Sequence, residues 1–379
     1  MLSAVQELSC WRRLLTGTVL LCLLLVPFPT WSAPASTARV LFINPTWQGH
    51  PHWQRITDTM QMAAREFGLQ LEVVYAGYKD RNKRLSYKDL VVKASLETPK
   101  PDYVVFMFYK SVGAETLAAL EKARIHSFTI NTPIPDNERQ AIGLPQQRFK
   151  YWLGHIAPDD RIVGAQLAIA MQGLLAPQPP TQAPVQGIGL TGDWLSSVAQ
   201  DRQSGFLSVT PASRVWIRQV VPAGWETDKA RSKTQILLQR YPDSRFIWCA
   251  SDTMALGAID ALKAMGRWQP KAYVIGGVDW TAQGLDAIAR GELDASVGGH
   301  FLDGGWVMVM IYDHWHGVRL DKRKTLITSP MKTLTQDNVQ PYRDKLKKWS
   351  QQTISFLPFS LYYNGRNEYH FAIESLLAP

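Results

Sequence analysis

The 379-residue chain has few cysteines, three in all. Two of them, Cys10 and Cys22, fall within the first 26 residues. Only Cys249 remains beyond that segment, so no disulfide can form within the rest. A chain this long can bury a sizeable core without such staples. Cys249 lies in the apolar run 246–250, where a small buried hydrophobe is the expected role. No run after residue 26 is long and apolar enough to predict a transmembrane helix. Gly-x-Ser-x-Gly and His-Glu-x-x-His are missing, which removes two familiar hydrolase signatures. Neither a helix-turn-helix pattern nor an aromatic-interleaved basic motif is present, so no nucleic-acid partner is expected. The formal charge of +9 is spread along the chain. Arg81, Lys83 and Arg84 cluster, as do Arg319, Lys322, Arg323 and Lys324. These clusters read as solvated surface, with a partner protein or anionic lipid as the alternative.

What is present begins with an export signal. Arg12 and Arg13 precede the apolar run 14–26, Pro27 and Pro29 break it, and Ala33-Pro34-Ala35 supplies small residues at a peptidase's spacing. The run is short for a membrane span. An uncleaved anchor is the alternative. Cleavage is expected near Ala35, with the product in the periplasm. About 340 residues then remain, enough for two domains.

Residues 39–44 form an apolar run ending in a polar turn, the pattern of a buried strand. Residues 56–67 follow with apolar positions at helical spacing, and Gly68 stops them. Further strands are expected at 69–75, 103–108, 127–130 and 151–155, with a helix at 114–123. The Pro- and Gln-rich stretch 175–185 reads as a surface loop. Alternation then restarts: strands at 185–190, 215–221, 246–250, 273–275 and 295–297, helices at 253–265 and 282–289. The expected fold class is therefore α/β, two doubly wound parallel-sheet lobes. Ligands of such sheets bind beyond the carboxyl ends of the strands. The aromatic stretch 353–363 has no place in this alternation and is expected to pack on a domain or meet a partner.

Gly187-Ile188-Gly189-Leu190-Thr191-Gly192 matches the dinucleotide fingerprint. However, its first two glycines lie inside the apolar strand run instead of opening a helix, and Asp193 and Trp194 follow where pyrophosphate would sit. His50 and His52, and His314 and His316, are spaced as possible metal pairs but lack a nearby cysteine or well-spaced carboxylate. No metal, no cofactor and no catalytic residue is expected. What remains is a set of polar and aromatic side chains at strand ends. Gln48, His50 and Trp53 follow the first strand, beside Trp47, and Asn131 follows the fourth. Asp193, Trp194 and then Arg202 follow the sixth. Ser251 and Asp252 follow the eighth, Asp279 and Trp280 the ninth, and His300 the tenth. This chemistry suits a small polyhydroxylated ligand. Aromatic faces cover C–H surfaces, while carboxylates, amides and a guanidinium take up hydroxyls. Asp252 is equally placed to cap a helix, and Trp53 to join a core. About half of the set is expected to touch ligand, since pockets use few polar groups.

Three segments resemble the type I periplasmic binding proteins of the ribose-binding kind. They are Phe246-Ile247-Trp248-Cys249-Ala250-Ser251-Asp252-Thr253-Met254-Ala255-Leu256-Gly257-Ala258, Ile275-Gly276-Gly277-Val278-Asp279 and Gly291-Glu292-Leu293-Asp294-Ala295-Ser296-Val297. Within that family, Gln48, Trp53, Asn131, Arg202, Ser251 and Asp252 resemble the autoinducer-2 receptor branch. His50 departs from that branch's small hydroxyl residue, and Gly299 lies near a second arginine of the branch that is missing here. The resemblance implies three hinge crossings, near Ala157, His300 and Pro330. It implies an N-terminal lobe of 36–156 plus 300–330 and a C-terminal lobe of 157–299 plus 331–379, which includes the tail. It also implies a monomer that closes around a sugar-like ligand and presents it to a membrane permease, or else reports to a membrane receptor. An enzyme using the cleft is a third reading. A sugar-responsive repressor of this fold would need an N-terminal DNA-binding helix pair, and an export signal stands there instead.

Overall fold

The computed structural model describes residues 37–77, 83–176, 183–211, 213–321, 324–349 and 354–377. The export signal lies outside them, as do Arg81, Lys322 and Arg323 of the basic clusters.

Two six-stranded sheets form the frame. In the first, the order is β11-β5-β4-β3-β1-β2. Its strands are β1 (Arg39–Asn44), β2 (Gln70–Tyr75), β3 (Tyr103–Phe106), β4 (His126–Ile130), β5 (Trp152–Ala157) and β11 (Leu326–Thr328), and every pairing is parallel. In the second, the order is β12-β10-β9-β8-β6-β7. Its strands are β6 (Val185–Thr191), β7 (Val215–Pro222), β8 (Phe246–Cys249), β9 (Val274–Val278), β10 (Ala295–Gly298) and β12 (Lys332–Thr335). Only β12 runs antiparallel, against β10. Central strands are buried along their length, as continuous apolar runs demand when helices cover both faces. β3, β8 and β9 are buried throughout, whereas the edge strand β2 alternates with solvent.

The principal helices are α1 (Pro51–Phe67), α2 (Lys83–Leu96), α3 (Gly113–Ala123), α4 (Asp160–Gly173), α5 (Ser197–Ser208), α6 (Thr227–Arg240), α7 (Asp252–Ala264), α8 (Ala282–Ala289), α9 (Asp303–Trp315) and α10 (Val339–Lys347). α1 starts five residues before the expected helix. Pro51 is its first residue, where a missing N–H costs nothing, and His50 caps it by accepting from the Trp53 amide. α2 was not foreseen. Its apolar positions Tyr87 and Val91 reach the core, but charged residues break the pattern around them.

The chain passes between the sheets after Ala157, between Gly298 and Asp303, and between Thr328 and Lys332. The crossings are tied together: the Ser329 amide donates to the Ala157 carbonyl at 2.9 Å, and the Ser329 hydroxyl donates to Asp303 Oδ2 at 2.7 Å. The tail, grouped by sequence with the C-terminal lobe, takes hold of both lobes. Trp349 stacks edge-on to Phe301. Glu66 of α1 accepts from the Phe356 amide at 2.6 Å and from the Ser355 hydroxyl. Asp313 of α9 accepts from the Ser360 hydroxyl, the Leu361 and Tyr362 amides and the Tyr369 hydroxyl. Phe371 stacks on buried Trp306 of the same helix. Beyond it, Lys332 of β12 pairs with Glu374 at 2.8 Å.

Candidate functional site

Strand ends from both sheets converge on one buried carboxylate, Asp279. It follows β9 with φ of 113°, a conformation an L-residue holds only when its surroundings require it. Arg202 approaches from α5. Its Nε donates to Asp160 Oδ1 at 2.6 Å, its Nη1 donates to the Ala250 carbonyl at 2.8 Å, and Nη1 lies 3.4 Å from Asp279 Oδ1. Two glycines put it there. A Cβ at Gly164 of α4 would run into the Arg202 carbonyl, and one at Gly205 of α5 would run into the Arg161 carbonyl. The two helices therefore touch backbone to backbone, which sets the Asp160–Arg202 pair.

The first sheet contributes the other side. Asn131 follows β4 in a left-handed conformation (φ 67°), which asparagine tolerates better than most residues. His52, on the first turn of α1, lies 2.8 Å from Asn131 Oδ1 through its Nε2. That carbonyl oxygen can only accept, so Nε2 carries the proton and Nδ1 is bare. Nδ1 faces Asp279 Oδ1 at 4.0 Å. His300, in the second crossing, stacks on His52 with ring centroids 4.5 Å apart and reaches Asp279 Oδ1 through Nε2 at 3.5 Å. The lobes also meet outside this cluster. Lys110 donates to Gln200 at 3.1 Å, and Arg161 contacts both Asp136 and Asp201.

Burial governs the charges. It pulls His52 down to about 4 and lowers His300 as well. Burial pushes Asp279 up, but His52 and His300, which gain protons as the pH falls, outweigh it together with Arg202 and hold the carboxyl at about 2. At neutral pH the cluster is thus an ionised Asp279 beside a charged Arg202, with both imidazoles neutral. Among the described residues, His52 Nδ1, both ring nitrogens of His300 and Asp160 Oδ2 are buried without a hydrogen-bond partner.

Of the residues expected at the site, Asn131, Arg202, Asp279 and His300 come together. His50 sits at the rim, half-buried, its Nδ1 occupied by the cap. Trp53 packs into the core against Phe42 and edge-on to His52, so it backs the cluster without presenting a face to it. Gln48, Asp193 and Trp194 are exposed, and Asp193 spends one oxygen on the Leu195 amide. Ser251 caps α7 through the Met254 amide. Asp252 is fully enclosed. Its oxygens accept from the Thr281 amide and hydroxyl and from the Ser296 hydroxyl, which clips the second sheet to α8. Trp280 is fully buried too, its Nε1 donating to the Ser296 carbonyl. Both side chains are turned into the packing, and Asp252 does not cap α7 either, since Ser251 does. His52, weighed in the sequence only as a possible metal partner of His50 and absent from the expected ligand set, joins the cluster. Its signal was Pro51, which marks a helix start and so aims His52 inward. His314 and His316 do not form a pair: His314 bonds the Tyr103 hydroxyl and His316 the Tyr312 carbonyl.

The Gly187–Gly192 segment also resolves as packing. Gly187 and Gly189 lie within β6, where a Cβ would press on Ile217, Phe246, Val220 and Phe206. Cys249 is buried, and burial raises its thiol pKa, as suits a small apolar filler.

Comparison with known proteins agrees with this frame. The periplasmic binding protein domain family matches residues 40–314. A periplasmic sugar-binding protein from Pseudomonas fluorescens superposes with a TM-score of 0.77 at 27% identity, over 90% of this chain and 99% of that one. The ribose import binding protein of Escherichia coli is 29% identical over 145 residues, 38% of this chain and 46% of the relative. The fructose import binding protein of Bifidobacterium longum is 26% identical over 235 residues, 60% of this chain and 67% of the relative. The chain thus matches about half the length of its ribose-binding relatives. With the family matched over most of its length and two parallel-sheet lobes meeting at strand ends, the chain belongs to the periplasmic binding protein domain family, in its type I arrangement.

Proposed function

We propose that the chain binds a small sugar or sugar-like polyol between its lobes and, once exported and cleaved near Ala35, presents it to a membrane permease of the periplasm. One observation carries the reading. Buried imidazole and carboxylate atoms without partners line the meeting point of the two lobes, beside Arg202 and Asn131. Each such atom costs about 1–3 kcal/mol unless something bonds it. A polyol supplies hydroxyls that both donate and accept, matching neutral imidazoles, a carboxylate and a guanidinium at once. His52 belongs to the first lobe and Asp279 to the second, so a ligand touching both favours the closed form. The relatives' names support sugar import as the setting.

The test is a thermal-shift screen of the chain against D-ribose, D-fructose, D-allose, other monosaccharides and polyols, and autoinducer-2. A true ligand at a hundredfold excess over Kd adds about 3 kcal/mol of stability. Arg202→Lys keeps the charge but loses the planar fork, and it should weaken binding at least tenfold. A panel without any hit, or a hit equally strong in Arg202→Lys, refutes the assignment.

Reporting to a membrane receptor is the second reading. It is favoured by the tail, whose Tyr362 and Tyr363 are 53% and 62% exposed beside its anchor on α9. A receptor response to the ligand that is unchanged with both tyrosines replaced by serine would count against it.

A further inference from the structure

We propose that His52, Asp279 and His300 form a binding site for a divalent transition-metal ion of the zinc class, filled when the lobes are closed. The three side chains are buried, and one donor atom from each lies within 4.8 Å of the other two. Two imidazole nitrogens and one carboxylate oxygen are a common donor set for zinc, leaving a fourth position for water or a ligand hydroxyl. A tetrahedral zinc with bonds of about 2.0–2.1 Å sets its donors roughly 3.4 Å apart. His300 Nε2 and His52 Nδ1 stand 3.5 and 4.0 Å from Asp279 Oδ1, so both pairs need to move by less than about 1 Å.

The tautomer argues in the same direction. Asn131 Oδ1 takes the proton of His52 Nε2, so a bare nitrogen lone pair faces an ionised carboxylate. Two electron-rich atoms facing each other call for a donor hydroxyl or a cation between them, and a second imidazole on the same carboxylate oxygen suits the cation. Arg202 reaches Asp279 Oδ1 only at 3.4 Å and spends its better bonds on Asp160 and Ala250. The amide that fixes His52 is also the kind of outer partner that orients metal-binding histidines. Ca²⁺ and Mg²⁺ prefer all-oxygen shells and should be refused.

The site shares the cleft of the proposed function but does not depend on its ligand. The ligands come from the first lobe, the second lobe and the crossing between them, so an ion would hold the lobes together.

The experiment is calorimetric titration of the untagged, EDTA-treated chain with ZnCl₂. The expected result is one saturable site, with no response to MgCl₂ or CaCl₂. His52→Ala and His300→Ala should each weaken it at least tenfold, and His316→Ala and His370→Ala, at exposed positions, should not. His52→Gln and His300→Gln keep the side-chain volume and replace any alanine variant that fails to melt cooperatively. Absence of saturable zinc binding overturns the proposal. So does binding that survives at both cleft positions and falls in the surface variants. The sugar screen is run in EDTA alongside. A sugar response without zinc binding refutes the ion and leaves the sugar reading standing. Zinc binding without any sugar response does the reverse.

Discussion

Replacing Gly164 by alanine tests how the fold places Arg202, although residue 164 is itself outside the cleft. A glycine inside a helix costs about 1 kcal/mol relative to alanine, so α4 would gain by the change if nothing else mattered. The crossing with α5 matters more, because the added methyl meets the Arg202 backbone carbonyl and not the end of a flexible side chain. Forcing one methyl into a tight backbone contact typically costs about 1–3 kcal/mol, and here it must also displace a backbone group, which places the cost at the upper end. Net destabilisation should be about 1–2 kcal/mol, a fall in Tm of roughly 1–3 °C at about 1.4 °C per kcal/mol for a chain of this length. Ligand affinity should fall as well, since α5 carries Arg202 away from Asp279 as the helices part. Gly173 on the same helix is the control. A methyl there meets nothing within 4 Å, so Gly173→Ala should be neutral or mildly stabilising. Thermal melts and ligand titration of both variants decide the matter. A Gly164→Ala protein that gains stability as Gly173→Ala does, with unchanged affinity, refutes the backbone-contact account.

Acid should weaken the fold through His52. Its pKa drops from the ordinary 6.5 to about 4 on folding, so between those values the unfolded chain binds more protons. Stability is then full above about pH 6.5 and falls by roughly 1 kcal/mol per pH unit toward pH 4. Urea melts of His52→Gln should show a shallower acid limb, and an unchanged limb would discard the assignment. Asp313→Ala removes the acceptor of four tail donors and should cost about 2–4 kcal/mol, with faster proteolysis within 354–377. Wild-type resistance there would mean the tail is held by other contacts. Asp252→Asn should bind ligand like the parent, because Asp252 meets only Thr281 and Ser296. Burial pushes its carboxyl up to about 7, so a neutral amide is a mild replacement. A selective loss of affinity in a variant that melts like the parent would return Asp252 to the site.

Most of the frame was legible because buried parallel strands leave an unambiguous trace. Runs such as Phe246–Cys249 and Val40–Ile43 are apolar and lead into polar turns, and the strands fall within a few residues of expectation. The site was legible in outline only. Strand-end position located Asn131, Arg202, Asp279 and His300, but position does not say which way a side chain points. Asp252 and Trp280 follow strands as the clustered residues do, yet both turn inward and bond Ser296, in one case its hydroxyl and in the other its carbonyl. His52 falls outside the strand-end pattern because α1 begins at Pro51, five residues before its apolar periodicity starts. With the helix begun at Pro51, residues 52 and 53 face the core and the neighbouring lobe instead of solvent. The tail packs as expected, but its docking points are illegible in sequence because its partners, Glu66 and Asp313, lie far away along the chain and are of ordinary surface type. Only the fold brings them under residues 355–369.

A crystal structure of the chain with the best monosaccharide of the screen, at saturating concentration, tests the central claim most directly. The account predicts one sugar held between the lobes, within hydrogen-bond distance of Arg202 and Asp279 from one side and of His52 or Asn131 from the other, with His300 between. A sugar bound elsewhere, or an unoccupied cleft in crystals whose protein binds the sugar in solution, would contradict it.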